Sequence, residues 1–146
     1  MKFQFPYGRS ALEVDLPPHL AVDLLEPPQV AAAAEPFALV GAALDQSLGA
    51  ARLEDFRGAA SVVVAVNDKT RPVPIRELLP PLLQKLEAAG IPPQAVTLLV
   101  AVGLHAPMLP AEFADILPQP ILERYAACSH DAKDKDSLLF LGTGAV

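Results

Sequence analysis

The sequence predicts an α/β fold of the Rossmann-like type, a mainly parallel sheet flanked by helices and preceded by an N-terminal β-hairpin. Two apolar runs, residues 61–66 and 96–102, are rich in β-branched and aliphatic side chains. Such runs are typical of strands buried on both faces of a parallel sheet. A leucine-rich stretch with helical periodicity, residues 78–89, lies between them. This order predicts a strand–helix–strand unit with a right-handed crossover.

Shorter segments complete the predicted order of elements. Residues 2–5 and 12–16 alternate apolar and polar side chains around Pro6-Tyr7-Gly8-Arg9, which predicts the hairpin. Apolar residues at helical spacing predict a helix over 36–46. The other predicted elements are a helical turn at 52–57, short helices at 110–117 and 120–125, and strands at 125–129 and 138–141. The sixteen prolines are expected between these segments or in first helical turns.

Length and composition limit the classes of protein that fit. A chain of 146 residues predicts one α/β domain spanning 1–146. A net charge of −6 argues against a nucleic-acid partner, and no apolar run approaches the ~20 residues of a membrane helix. The single cysteine, Cys128, excludes an internal disulfide framework, so a cytoplasmic location is expected. The high apolar content, 52%, suggests an exposed apolar surface and a homo-oligomer.

Polar side chains follow each long strand at the point where it ends. Asp68 and Arg71 follow the first strand, and His105 follows the second. Ligands of parallel sheets bind beyond the carboxyl ends of the strands, so these side chains are expected to face one crevice. Arginine binds a carboxylate or phosphate through two parallel hydrogen bonds, and histidine exchanges protons near neutral pH. Asp68 could orient Arg71, a hydroxyl or a nearby imidazole.

A purely structural interpretation of the same residues also stands. Asp68 could cap a turn with Arg71 on the surface, and His105 could be a loop residue. A third group of polar residues, Ser129-His130-Asp131, follows the predicted strand 125–129. His130 could be a ligand or a base, whereas Asp131 is expected to cap a turn. The sequence contains no glycine-rich phosphate loop, no Cys-x-x-Cys pair and no His-Glu-x-x-His helix.

Together these motifs resemble the N-terminal domain of nickel-dependent lactate racemase over essentially the whole chain. The Asp-x-Thr-Arg-Pro element combined with the Gly-x-His-x-Pro element is the most specific part of the pattern. The matching segments are Asn67-Asp68-Lys69-Thr70-Arg71-Pro72, Gly103-Leu104-His105-x-Pro107, Ser129-His130-Asp131-Ala132 and Leu141-Gly142-Thr143, with Pro6-Tyr7-Gly8 and Glu26-Pro27 fitting as well.

The resemblance implies a racemase or epimerase of 2-hydroxy acids that uses a nickel-pincer nucleotide, a pyridinium thioamide–thiocarboxylate mononucleotide. In that family one histidine takes the hydroxyl proton while C2 passes a hydride to the cofactor, and a second histidine serves the opposite face. By this resemblance His105 is the first base and Arg71 binds the substrate carboxylate. Asp68, with Thr70, supports the cofactor or its neighbours. His130 and Asp131 match a motif of mainly structural role.

The chain departs from the family pattern in two ways. Leu104 and Ala106 stand where the family often has threonine and arginine. The second histidine, the cofactor-linking lysine, the nickel-binding histidine and the C-terminal domain would all lie beyond residue 146. The chain is therefore expected to be a cut-out or shortened form, to bind no cofactor alone and to be inactive alone. The alternatives are a stand-alone, non-catalytic binding domain that retains the fold and an unrelated small α/β enzyme that uses His105 as base.

Overall fold

The computed structural model describes residues 1–46, 48–49 and 51–144, which divide into two compact units, Met1–Ala32 and Ala33–Val146. The first unit contains a β-hairpin of β1 (Lys2–Tyr7) and β2 (Ser10–Asp15), paired antiparallel from Lys2↔Asp15 to Tyr7↔Ser10. Gly8 begins the connecting turn with φ 59°, a conformation that suits glycine. The predicted hairpin is confirmed.

A three-stranded parallel sheet forms the centre of the second unit. Its strands are β3 (Val62–Asn67), β4 (Val96–Ala101) and β5 (Ala126–Ser129), in the order β3-β4-β5. The helices are α1 (Pro36–Asp45), α2 (Ile75–Ala88) and α3 (Gln119–Leu122), with 3₁₀ helices at Leu53–Phe56, Pro93–Ala95, Pro110–Asp115 and Lys135–Ser137. Because α2 joins the neighbouring parallel strands β3 and β4, the predicted fold class is confirmed.

The core lies on one face of this sheet. Alternate residues of β4, Val96, Leu98 and Val100, are fully buried and pack in one cluster with apolar residues of α2. The opposite face is more open, since Val63 on β3 is 62% exposed and Cys128 on β5 is exposed. Burial on both faces was predicted for these strands, and for β3 that prediction is wrong. The helices that contribute to the core cluster pack on one face only. The α2 residues in the cluster are Ile75, Leu79, Leu83 and Leu86.

Helix α2 begins at Ile75, earlier than the predicted start at residue 78, and contains Pro80 and Pro81 in its interior. The carbonyl of Pro74 accepts hydrogen bonds from the backbone N–H groups of residues 77 and 78 at 3.1 and 3.0 Å, which starts the first turn. A proline inside a helix costs ~3 kcal/mol because it removes a hydrogen bond and crowds the preceding turn. Burial of Pro81 itself, and of Leu79 and Leu83 in the core cluster, offsets that cost. The expectation that prolines avoid helix interiors was therefore wrong here.

The apolar run 138–141 is not a strand, contrary to the prediction. Leu139, Phe140 and Leu141 are 83%, 79% and 91% exposed. A β-like run forms a strand only where a neighbour accepts and donates its backbone hydrogen bonds. In the described part of the chain the sheet ends at β5, so this run has no partner strand. No helix among the described residues is long and apolar enough to cross a membrane.

A partly buried polar cluster ties α2 to the residues just before β5. The Tyr125 hydroxyl donates to Glu87, and the Arg124 guanidinium donates to both Glu87 carboxylate oxygens at 3.1 and 2.9 Å. Tyr125 is only 6% exposed. Burial, reinforced by the Glu87 carboxylate, raises the pKa of Tyr125 to about 12. The neutral phenol is therefore part of the folded state.

We expect the folded protein to lose stability as the pH rises from about 10 to about 12, because the unfolded chain ionises Tyr125 first. This contribution is fully present below the unfolded pKa, and a shift of about two units corresponds to roughly 2–3 kcal/mol. Tyr7→Phe leaves Tyr125 as the only tyrosine, so tyrosinate absorbance then reports this group alone. Ionisation of Tyr125 near its ordinary pKa in the folded protein would contradict the account.

Candidate active site

The loop that follows β3 is organised around the Asp68 carboxylate. Its Oδ1 accepts hydrogen bonds from the backbone N–H and the hydroxyl of Thr70, at 3.2 and 2.6 Å. The Arg71 N–H donates to the Asp68 carbonyl at 3.1 Å, which closes the turn. Asp68 is 5% exposed, and among the described residues it is the only charged side chain that is buried. A buried carboxylate requires such donors, because an unpaired one costs several kcal/mol.

The loop that follows β4 brings His105 to this carboxylate. Gly103 adopts φ 60°, which turns the chain directly after the strand, and the His105 N–H donates to the Val102 carbonyl at 3.0 Å. The His105 Nδ1 lies 2.7 Å from Asp68 Oδ2. An ionised carboxylate can only accept, so Nδ1 carries the proton in this pair. In the neutral ring Nε2 is then the basic nitrogen.

The surroundings of Asp68 keep it ionised. Hydrogen bonds from His105 and then from Thr70 lower the pKa of Asp68 below its ordinary value of 3.8. The side chain of His105 is 54% exposed, so the ring is accessible to a ligand. This arrangement can hold an imidazole in one orientation and stabilise the imidazolium that forms when the ring takes a proton.

Asp68, Arg71 and His105 line one open cleft of about 410 Å³ at the carboxyl ends of β3 and β4. The size suits a small organic ligand. Arg71 is exposed and forms no ion pair with the residues that the structure describes. The cleft thus offers a cation for an anionic group beside a histidine for proton transfer. Its other lining residues are Asn67, Ala101, Val102, Gly103 and Leu104.

The remaining predicted site residues take different positions. The Thr70 hydroxyl is directed to Asp68. His130 does not line the cleft, and its backbone N–H donates to the Val100 carbonyl at 3.0 Å, next to the β4–β5 pairing. Asp131 accepts from the Lys133 N–H at 2.9 Å, so the prediction that it caps a turn is confirmed. The structure therefore brings together Asp68, Thr70, Arg71 and His105, whereas His130 lies apart.

Sequence reasoning missed Glu112 near the site, and it named Ser129 only as part of the Ser129-His130-Asp131 group. Glu112 pairs with Lys69 and accepts from the Leu109 N–H at 2.8 Å. Pro110 at the first helical position and Glu112 two residues later are a partial helix-start signal, but leucine in place of the usual cap residue obscures it. Ser129 accepts from the Met108 N–H at 3.0 Å, a long-range contact that no local pattern indicates.

Comparison with known proteins identifies the family. Residues 7–145 match the profile of the family described as "Lactate racemase N-terminal domain". The chain belongs to this lactate racemase N-terminal domain family. It is 29% identical over 145 residues to the lactate racemase of Thermoanaerobacterium thermosaccharolyticum, covering 96% of this chain and 33% of that protein. It is 31% identical over 100 residues to the lactate racemase of Lactiplantibacillus plantarum, covering 68% of this chain and 23% of that protein.

A solved structure supports the same relationship. The lactate racemase apoprotein from T. thermosaccharolyticum superposes with a TM-score of 0.77 at 28% sequence identity, over 98% of this chain and 33% of the other. The chain therefore spans about a third of the length of this relative. The resemblance noted from the Asp-x-Thr-Arg-Pro and Gly-x-His-x-Pro elements is confirmed at the level of the family.

The lowered pKa of Asp68 gives a prediction for acid titration. We expect the Asp68 carboxyl carbon to titrate, by NMR, below the ordinary aspartate value of 3.8. Because the folded pKa is depressed, this contribution to stability is present above the unfolded pKa and is lost as the pH falls through the folded value. Thr70→Val removes one donor and should raise the pKa part of the way, whereas Thr70→Ser should leave it low. An unshifted Asp68 in the wild-type protein would contradict the assigned hydrogen bonds.

Proposed function

We propose that this chain provides the substrate-carboxylate site and one acid–base histidine of a 2-hydroxy acid racemase or epimerase. The observation that carries the proposal is the 2.7 Å contact between Asp68 and His105, in a cleft that Arg71 also lines. Family membership supports the reaction class, since the relatives are lactate racemases.

His105 is the proposed acid–base group. With Nδ1 held by Asp68, Nε2 would take the proton from the substrate hydroxyl and return it in the reverse direction. The ionised Asp68 would stabilise the imidazolium, and it fixes the tautomer that leaves Nε2 basic. Asp68 and Thr70 were expected to support the cofactor. The hydrogen bonds that Asp68 makes to Thr70 and to His105 also support a role for Asp68 in orienting the base.

Arg71 is the proposed carboxylate-binding group. Its guanidinium can bind both carboxylate oxygens of a 2-hydroxy acid, which would place the adjacent hydroxyl toward the histidine side of the cleft. Leu104, which lines the same cleft and is 91% exposed, replaces the threonine of the family pattern. The substrate is therefore proposed as a 2-hydroxy acid of unspecified side chain, with lactate as the first to test.

The nickel-pincer nucleotide would supply the hydride acceptor in the complete enzyme. The cofactor-linking lysine and the nickel-binding histidine of the family pattern are not among the motifs that this chain matches. We therefore assign no metal-binding step to this chain. The groups that hold the cofactor and serve the opposite face are proposed to come from a C-terminal part like that of the relatives, of which this chain covers 33% and 23%. By itself the chain is expected to catalyse no racemisation.

Binding of lactate to the isotope-labelled chain tests the carboxylate site. We expect weak binding, seen as NMR shift changes at Gly103 and His105, and no response to lactamide, which lacks the carboxylate. Arg71→Lys should weaken binding roughly fivefold or more, because lysine cannot form two parallel hydrogen bonds to the carboxylate. Arg57→Lys is the matched control, since Arg57 lies outside the cleft and shares no pocket with Arg71.

Equal responses to lactate and lactamide would contradict carboxylate recognition by Arg71. Carboxylate recognition by Arg71 is also contradicted if the Arg71→Lys variant binds lactate as tightly as the wild type, or if Arg57→Lys weakens lactate binding as much as Arg71→Lys does. Lactate binding that needs Arg71, together with no racemisation by a complete enzyme that contains this chain, would favour the alternative, a non-catalytic binding domain.

A further inference from the structure

A second polar contact joins the two loops of the site. Lys69 follows Asp68 directly, and its ammonium pairs with Oε1 of Glu112. The other oxygen of Glu112 accepts from the backbone N–H of Leu109 at 2.8 Å. Leu109 lies four residues after His105 in the sequence. One carboxylate therefore bonds at the same time to the loop that carries Asp68 and to the segment that carries His105.

The His105 segment is fixed at further points. The Met108 N–H donates to Ser129 at 3.0 Å, and Met108 itself is buried. The His105 N–H donates to the Val102 carbonyl at 3.0 Å. The Asp68 loop is joined to this segment by two side-chain contacts among the described residues, Asp68–His105 and Lys69–Glu112.

We propose that Glu112 and Lys69 are positioning residues that hold the Asp68 loop at the distance at which its carboxylate bonds His105 Nδ1. The catalytic value of this role rests on the proposed function of His105. Neither residue lines the cleft, so neither is expected to touch the substrate.

The solvent exposure of the Lys69–Glu112 pair favours a role in positioning the loops over a role in overall stability. The Lys69 side chain is 47% exposed and that of Glu112 is 32% exposed, and pairs so exposed add little to overall stability. The His105 side chain is 54% exposed, so its hydrogen bond to Asp68 is only partly shielded from water. The fraction of time for which such a hydrogen bond is formed depends on how closely the structure holds its two partners together. A contact that holds the loops together therefore acts on the fraction of time for which Asp68 and His105 are bonded.

The test measures the tautomer of His105 by ¹⁵N NMR of the isolated chain, at a pH at which the ring is neutral and without any ligand. Wild type is expected to be mainly the Nδ1–H form, because Asp68 accepts that proton. Lys69→Met and Glu112→Ala should each lower the ratio of Nδ1–H to Nε2–H roughly three- to tenfold, the range expected for one hydrogen bond. Lys69→Arg, which keeps the charge and the reach, should retain the ratio.

Two comparisons separate positioning from general destabilisation. Lys85→Met removes a similar exposed ion pair, Lys85–Asp45, which joins α2 to α1 away from the cleft, and should leave the tautomer unchanged. In the Lys69→Met/Glu112→Ala double variant the change should not exceed that of Glu112→Ala alone, because Glu112→Ala already removes the Lys69–Glu112 contact together with the acceptor of the Leu109 N–H. Glu112→Gln keeps an oxygen for the Leu109 N–H and serves if Glu112→Ala unfolds.

An unchanged His105 tautomer in folded Lys69→Met and Glu112→Ala, or an equal change in Lys85→Met, would overturn the proposal. A wild-type ring that is mainly Nε2–H would also overturn it, since there would be no Asp68 bond to position. The readout involves neither substrate nor turnover, so the positioning role and the proposed function can fail independently.

Discussion

The parallel pairing of β3 with β4 is the constraint on which the candidate site depends. Its register ends at Asn67↔Ala101, so the two loops leave the sheet side by side. A slip of one residue would move one loop by ~3.3 Å along the strand and turn its side chains to the other face. The 2.7 Å contact between Asp68 and His105 would not survive such a shift. Packing of β3 and β4 against α2 therefore fixes the geometry of the proposed chemistry.

The buried charge of Asp68 sets a second condition. A carboxylate with 5% exposure needs donors, and the loop supplies them from Thr70 while the neighbouring loop supplies the His105 ring. Arg71 and the remainder of the His105 ring stay accessible, and these are the groups proposed to meet the substrate. The site thus combines one buried, fully bonded residue with two exposed ones. Because the buried carboxylate bonds Nδ1, an imidazole that is about half exposed can still be held in a single tautomer.

Much of this arrangement could be predicted from the sequence, because apolar strand-like runs and the polar residues that follow them are local patterns. The hairpin, the β3–α2–β4 unit and the convergence of Asp68, Arg71 and His105 on one cleft followed from them. The helix start at Ile75 did not follow from them, because tertiary burial outweighed the proline signal. The exposed run 138–141 did not either, because the described residues supply it with no partner strand. The contacts of Lys69 with Glu112 and of Met108 with Ser129 join residues distant in sequence, and only the fold reveals them.

The central claim is that His105 is the acid–base group that this chain contributes to a racemase. The most direct measurement is lactate racemisation by a chimera in which this chain replaces the matching third of the T. thermosaccharolyticum enzyme. In a folded, cofactor-loaded chimera, His105→Asn should lower turnover in both directions by ~10²–10⁴-fold, the usual worth of general acid–base catalysis. His19→Asn, an exposed histidine outside the cleft, should have no effect. Near-normal racemisation by the His105→Asn chimera would contradict the claim and leave His105 as a structural loop residue.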